Sequence, residues 1–315
     1  MLDVITLGEA MVLLTPTRPG LLRYATSFDR SVAGAESNLA IGLARLGHRV
    51  GWMSRVGDDE FGQCVLSFVR GEGVDVSRVI VDPAAPTAVF FKERRAAGIT
   101  RVYYYRAGSA ASRLSPEDLD PAYIRQARYL HLSGITPALS ASCRAAVLRA
   151  MDIAREAAIP IAFDPNIRLK LWPAARAREV LRALIGRTNL VLASQEEAEL
   201  LTGELDPERA ARALLELGPA LAIVKLGANG ALAVGDGGVV HEPVLEVEVV
   251  DTIGAGDAFA AGFLAAQLRG WELPAALRLA NIMGALTTTV PGDVEGMPTW
   301  TEVQPYLGGT SLVTR

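Results

Sequence analysis

Hydrophobic positions along the chain follow two periods: short apolar runs of strand length, and longer stretches with apolar residues three and four apart. The first run, Val4-Ile5-Thr6-Leu7, ends at Gly8-Glu9 and predicts a strand. A polar stretch follows, then a second short strand over residues 21–28. Residues 35–46 repeat at helical period and stop at Gly47; residues 50–56 read as a strand and 60–70 as an amphipathic helix. Val89-Phe90-Phe91 and Val102-Tyr103-Tyr104-Tyr105 flank the charged turn Arg94-Arg95-Ala96-Ala97-Gly98, the pattern of a hairpin. Beyond it strand and helix alternate. Strands are expected at 129–132, 159–163, 190–192 and 222–225, helices at 140–158, 174–185, 196–201 and 207–217. A hairpin at 231–234 and 239–242 follows, and helices at 255–269 and 273–289 close the fold.

Buried strands alternating with helices imply a mainly parallel sheet covered on both faces, an α/β fold. The early β segments break that alternation. They read as a small discontinuous β lid, residues 10–33 and 86–107, on a core of 1–9, 34–85 and 108–315. In such sheets ligands bind beyond the carboxyl ends of the strands, which singles out the loops at Gly34, Gly134, Asp164, Ser194, Gly227 and Gly254.

Composition narrows the function classes. The 315 residues are half apolar and carry a formal charge of −4, so no overall field draws nucleic acid or an anionic membrane. An anionic substrate must be held by local cations, which are mostly Arg; Lys occurs only at Lys92, Lys170 and Lys225. Cys64 and Cys143 stand in no metal-ligand spacing, and two isolated cysteines with a strand-like start rather than an export signal suggest reduced thiols in the cytoplasm. No apolar stretch has the length of a membrane span.

The chemistry concentrates in Asp251-Thr252-Ile253-Gly254-Ala255-Gly256-Asp257-Ala258-Phe259, which runs into an apolar helix. Small residues at Gly254, Ala255 and Gly256 leave backbone N–H groups bare at the positive end of the helix dipole, an anion site of the kind phosphoryl transfer needs. Asp257, one residue on, can accept a proton from an attacking hydroxyl. An ordinary carboxyl pKa of about 3.9 suffices, because a loose transition state demands little prior deprotonation. Taken alone, the string is also compatible with a tight turn and an acidic first helical turn.

In company with the rest of the chain it is more telling. The sequence resembles the ribokinase-like carbohydrate kinases, the PfkB family. Asp251–Asp257 matches the carboxy-terminal D-T-x-G-A-G-D signature, and Ala33-Gly34-Ala35-Glu36-Ser37-Asn38 matches the amino-terminal small-Gly pair followed by Asn. The resemblance runs from the first strand to about Pro298 and implies a three-layer α/β/α core of about nine strands with a β lid. It also implies ATP as donor, Mg²⁺ as helper and room for a monovalent cation such as K⁺ beside Asp251. Gly34 and Asn38 lie where the family holds sugar hydroxyls. Lys225-Leu226-Gly227-Ala228-Asn229-Gly230 matches the nucleotide loop, with Gly227 and Gly230 leaving room for ATP; a plain hairpin turn would read the same. Asn281 and Gly284, on one helix face, lie where the family borders the adenine; close helix packing is the other reading. Ser194-Gln195-Glu196-Glu197 occupies the N-x-x-E segment, so Glu197 would organise the water shell of Mg²⁺, with Ser194 replacing the usual Asn.

Two arginines bear on the acceptor. Arg106 follows the aromatic run 103–105, and Arg168 ends Asp164-Pro165-Asn166-Ile167-Arg168; paired near one pocket they would grip a carboxylate, though each also reads as a surface cation or an ATP contact. These segments and His131-Leu132-Ser133-Gly134-Ile135-Thr136-Pro137 look like those of the family's 2-keto-3-deoxygluconate kinases. That likeness implies Phe90 (often Tyr), Tyr104, Arg106, Arg168 and Asp257 around the sugar acid, Asp293 on a closing loop, and Asn166 with Arg168 toward the nucleotide. Three alternatives stay open: a fructokinase or other neutral-sugar kinase, a non-catalytic sugar sensor, and a dinucleotide dehydrogenase. The last lacks Gly-x-Gly-x-x-Gly after its first strand, where Gly8-Glu9-Ala10 stands. Open lid edges with apolar residues predict a homo-oligomer.

Overall fold

The computed structural model describes residues 1–95 and 100–308. Three β segments open the chain: β1 (Leu2–Leu7), β2 (Met11–Pro16) and β3 (Phe28–Ala33). Next come α1 (Ala35–Arg45), β4 (Val50–Gly57), α2 (Glu60–Gly71), β5 (Asp75–Asp82) and the pair β6 (Val89–Arg94) and β7 (Thr100–Tyr105). The middle of the chain holds α3 (Pro121–Ile124), β8 (Ala127–Ser133), α4 (Thr136–Leu139), α5 (Ala141–Glu156), β9 (Ile161–Asp164) and α6 (Ala174–Ile185). It continues through β10 (Leu190–Ser194), α7 (Gln195–Thr202), α8 (Pro207–Leu215), β11 (Leu221–Lys225), β12 (Ala231–Gly235) and β13 (Gly238–Glu242). The last helices are α9 (Ala255–Leu268), α10 (Leu273–Thr287) and α11 (Trp300–Leu307).

Nine strands form one sheet in the order β13-β12-β11-β10-β9-β8-β1-β4-β5, parallel from β5 across to β11 and closed by the antiparallel β12 and β13. Side chains alternate across it, so one strand feeds two cores. Leu190 and Leu192 pack with α1, α2, α9 and α10, whereas Val191 and Ala193 pack with α5 to α8. The result is the three-layer α/β/α arrangement. Helix α9, which leads out of the Gly-rich turn, is buried almost throughout between α1 and α10. Burying a side chain such as Phe263 stabilises by about 2–3 kcal/mol, and several such residues hold the helix mouth rigidly in place.

A second sheet of four strands, order β3-β2-β6-β7, packs its own small core of Met11, Leu13, Ala33, Ala88 and Phe90. The expected hairpin is β6–β7, and its tip at 96–99 lies outside the described residues. The expected strand at 21–28 is not one. Residues 22–24 form a single 3-10 turn with Tyr24 exposed, and the strands flanking it are β2 and β3. Met11-Val12-Leu13-Leu14 was the stronger apolar run, and it pairs on both sides, with β3 and β6. Four more elements were not anticipated: β5, an edge strand with exposed Ser77 and Arg78, the short helices α3 and α4, and the terminal α11.

Candidate active site

Beyond the carboxyl ends of the parallel strands lies a cavity of about 610 Å³, roofed by the four-stranded sheet. The connections after β1, β8, β9, β10 and β11 supply Glu9, Ile135, Asp164 with Asn166 and Arg168, Ser194 to Glu197, and Lys225 with Gly227. The small sheet contributes Phe90, Lys92, Val102 and Tyr104, and α1 contributes Gly34 and Asn38. A second cavity of about 720 Å³ adjoins it and shares Lys225, Gly227, Thr252 and Gly256. It is lined by Gly230, Ala255, Phe259, Asn281, Gly284 and an apolar wall of Val244, Leu245, Val247 and Val249. Every site residue singled out in the sequence therefore borders one cavity or the other. The two meet at the start of α9.

That junction is built by strain and packing. Gly254, the N-cap of α9, has φ +78°, and a Cβ there would lie 2.0 Å from the Asp293 carbonyl oxygen. Only glycine fits. Ala255 N–H reaches the Thr252 carbonyl at 3.4 Å, whereas the N–H groups of Gly254, Gly256 and Asp257 find no acceptor among the described residues. Asp257 turns its carboxylate into the first cavity, where Asn38 Nδ2 donates to Oδ2 at 2.9 Å and leaves Oδ1 open. Burial pushes the Asp257 carboxyl up to about 7; the Asn38 amide opposes the rise, Asp164 and Asp293 add to it, and Arg168 opposes it. Asp293 is likewise raised by burial to about 7, with Lys92 countering and Glu295 adding.

Facing this pair, Lys225 Nζ donates to Asp164 Oδ2 at 2.7 Å, and Lys225 is kept protonated by Asp164 and Glu197 despite its burial. Glu197 is occupied: its two oxygens accept the N–H groups of Ser194 and Ile167 at 2.8 and 2.7 Å, closing a capping box on α7 with the Ser194 hydroxyl. The Asn166 backbone sits at φ +37° and donates to Asp164 Oδ1 at 3.0 Å. Gly34 is extended; a Cβ there would collide with the Glu9 carbonyl at 2.3 Å, so close passage of β1's exit, besides any sugar, requires glycine.

The two arginines part company. Arg106 pairs with the buried Glu9 at 2.5 Å and lies 5.4 Å over the Tyr104 ring, which itself stacks on Phe90 at 5.3 Å. Arg168 is exposed at the cavity mouth, and among the described residues its side chain donates one hydrogen bond, from Nη1 to the neighbouring Ile167 carbonyl at 3.3 Å. Arg168 thus offers charge to an acidic ligand, while Arg106, which lines the same cavity with its Nε unpartnered among the described residues, is held by Glu9 beside the stacked aromatic wall. Asn281 spends its Nδ2 on the Glu242 and Pro243 carbonyls at 2.9 and 3.0 Å, anchoring the apolar wall of the second cavity. His131 and His48 are structural: His131 bonds Thr6 at 3.1 Å, and burial depresses it to about 4.

Several residues of the first cavity were not legible as site residues. Glu9, Glu36 and Lys92 are buried charges whose partners lie far along the chain, and Asp164 reads in the sequence only as the start of a loop. Glu36 Oε1 accepts the hydroxyls of Ser133 and Thr136, both at 2.6 Å, and burial raises its pKa. Among the described residues no group of three or more His, Cys, Asp or Glu could hold a metal by itself, and no helix is long and apolar enough to cross a membrane.

Adjoining cavities, one with many ionisable side chains and one largely apolar, meet at bare helix amides beside a carboxylate, an arrangement that suits phosphoryl transfer. Comparison with known proteins gives the family. Residues 1–300 match the pfkB family of carbohydrate kinases, and the chain belongs to that family. It is 41% identical to the 2-dehydro-3-deoxygluconokinase of Thermoproteus tenax, covering 98% of this chain and 94% of that one. It is 40% identical to the enzyme of that name from Bacillus subtilis, over 99% and 97% of the two chains. The probable fructokinase-4 of Arabidopsis thaliana is 34% identical over 97% of both chains. Among solved structures, a PfkB protein from Polaromonas sp. JS666 superposes with a TM-score of 0.89 at 41% identity, covering 96% of this chain and 99% of that one. A putative ribokinase II from E. coli in complex with ATP and Mg²⁺ superposes at 0.90 and 28% identity, over 98% and 99%. The chain is a carbohydrate kinase with the ribokinase-like fold.

Proposed function

We propose that this kinase transfers the γ-phosphoryl group of ATP to 2-keto-3-deoxygluconate (2-dehydro-3-deoxygluconate), giving the 6-phospho product. The observation that carries the chemistry is the open Oδ1 of Asp257 beside the bare amides of Gly254–Gly256, at the junction of the two cavities. The sugar acid lies in the first cavity under Phe90 and Tyr104, with its carboxylate toward Arg168. ATP lies in the second, its base against the apolar wall and its phosphates over Gly227 and the mouth of α9. Asp257 takes the hydroxyl proton as the sugar oxygen bonds to phosphorus. The bond to ADP breaks in the same in-line step, its electron pair leaves with ADP, and the amides hold the charge on the transferred oxygens. Mg²⁺, bound through the ATP phosphates and water, would neutralise phosphate charge; Asp164 and Glu197 are the carboxylates facing that space. In this reading residues 10–33 and 86–107 are the lid on the remaining core, and the protein works in the cytoplasm as a homo-oligomer. Phe91, Tyr103 and Tyr105, on the outer lid face with Tyr105 65% exposed, are the surface for a second copy. A monomer at micromolar concentration in sedimentation would remove that last element.

Support for the acid comes from the two relatives named for it and from the unpaired Arg168. A fructokinase is the second reading, favoured by the 34% identical relative and by the engagement of Arg106 with Glu9. ADP release measured in parallel with 2-keto-3-deoxygluconate, fructose, ribose, gluconate and adenosine decides. The highest kcat/KM is expected with the keto-deoxy acid, and a preference for fructose would overturn the assignment.

A further inference from the structure

Lys92 belongs to none of the roles above, yet it is buried inside the first cavity. It stands on β6 two residues from Phe90, on the same face, opposite Val102 of β7. Its side chain is 7% exposed, and Nζ donates to Asp251 Oδ2 at 2.5 Å; Asp251 is the first residue of the Gly-rich segment. The other oxygen, Oδ1, accepts the Ile253 N–H at 3.3 Å, and the Val250 and Asp251 N–H groups donate to the Thr288 carbonyl at 2.8 and 3.1 Å. Asp251 is therefore the point at which the small sheet, the end of α10 and the backbone leading to Gly254 are tied together. Among the described residues this is the ion pair that joins the four-stranded sheet to the turn. Lys92 also opposes the rise of Asp293, whose carbonyl abuts Gly254.

We propose that Lys92 is a positioning residue that couples the sugar-covering sheet to the phosphate-holding turn. The inference rests on the site assignment above. When the small sheet lies over the sugar, the ammonium reaches Asp251 and fixes the path of residues 252–256. With the sheet lifted, Asp251 loses its cation and the amides are no longer held in register. Occupancy of the sugar cavity thereby sets the grip on the transferred phosphoryl group. Truncating Lys92 leaves the half-buried Asp251 carboxylate without its cation, a change that acts on the turn even though Lys92 sits on another sheet.

Kinetics of Lys92→Met, Lys92→Arg, Lys92→Ala and Asp251→Asn, with wild type alongside, test this. Lys92→Met is expected to lower kcat tenfold to a hundredfold, roughly, with the sugar KM within about threefold of wild type; Lys92→Arg should stay within about threefold throughout. The double variant Lys92→Met with Asp251→Asn should be no worse than the poorer single one, since both remove the same link. A hole beside a half-buried carboxylate admits a small cation, so ammonium or potassium chloride should restore part of the kcat of Lys92→Ala, and tetramethylammonium chloride at equal ionic strength should not. A purely structural lysine would give no such cation selectivity. Should Lys92→Met fail to fold, Asp251→Asn, which leaves the small sheet intact, carries the same kcat expectation. Unchanged turnover in Lys92→Met, multiplied losses in the double variant, or equal response to all three salts would overturn the inference. Absence of turnover by wild type on every sugar would instead overturn the site assignment.

Discussion

The two cavities that meet at α9 are similar in size and opposite in chemistry. The first is walled largely by polar and ionisable side chains, most of them paired: Lys225 with Asp164, Arg106 with Glu9, Lys92 with Asp251, and the Asn38 amide with Asp257. The second is walled by valine, leucine and phenylalanine, and its one buried amide, Asn281, is turned away onto backbone carbonyls. A paired charge resists displacement, because removing either member strands the other out of water. An apolar wall only excludes water and reads shape. On the proposed assignment, rate and choice of sugar belong to the first cavity, and nucleotide affinity to the second. The shared junction belongs to both.

Substitutions can break or sharpen that division. At the junction, Gly254→Ala places a methyl 2.0 Å from the Asp293 carbonyl at a positive φ; turnover should fall by more than about a hundredfold, with a lower melting temperature, read by steady-state assay and calorimetry. In the first cavity, Arg168→Met should raise KM for the keto-deoxy acid by roughly tenfold to a hundredfold and narrow its advantage over fructose, with KM for ATP nearly unchanged. In the second, Gly284→Val pushes bulk toward Phe259 and the Ala255 carbonyl; KM for ATP should rise about tenfold while KM for the sugar stays put. The smallest effect is on pH. Asp257 must be a carboxylate to accept a proton, and its free-enzyme value of about 7 means that the competent form is lost as pH falls. Between pH 7 and 6 kcat/KM should drop about fivefold, with an acid limb that is absent when Asp257 is replaced. A flat profile over that range would leave the division without its titrating member.

Sequence legibility followed range of interaction. Helix 174–185 was placed at its observed limits because Pro173 and Gly186 punctuate it locally. The Gly-rich mouth, the loop at 225–230 and the Asp164 loop are visible for the same reason: their conformational demands are written in adjacent residues. Strand β2 was misplaced because its partners, β3 and β6, are what distinguish it from the neighbouring apolar residues 21 and 22. The missed site residues share one cause. Lys92 meets Asp251 across 159 positions and Ser109 meets Glu9 across 100, and no local pattern encodes such a pairing. Arg106 shows the converse. Its type and neighbourhood suggest a ligand contact, and it does line the first cavity, but its pairing with Glu9 is invisible at that distance.

Single-turnover phosphoryl transfer by Asp257→Asn, with nucleotide affinity measured on the same protein, tests the junction most directly. A loss of about a thousandfold or more in the transfer rate, with ATP dissociation constants within about threefold of wild type, is expected of a base that touches the acceptor oxygen and not the nucleotide. Transfer at the wild-type rate would contradict the role given to this carboxylate.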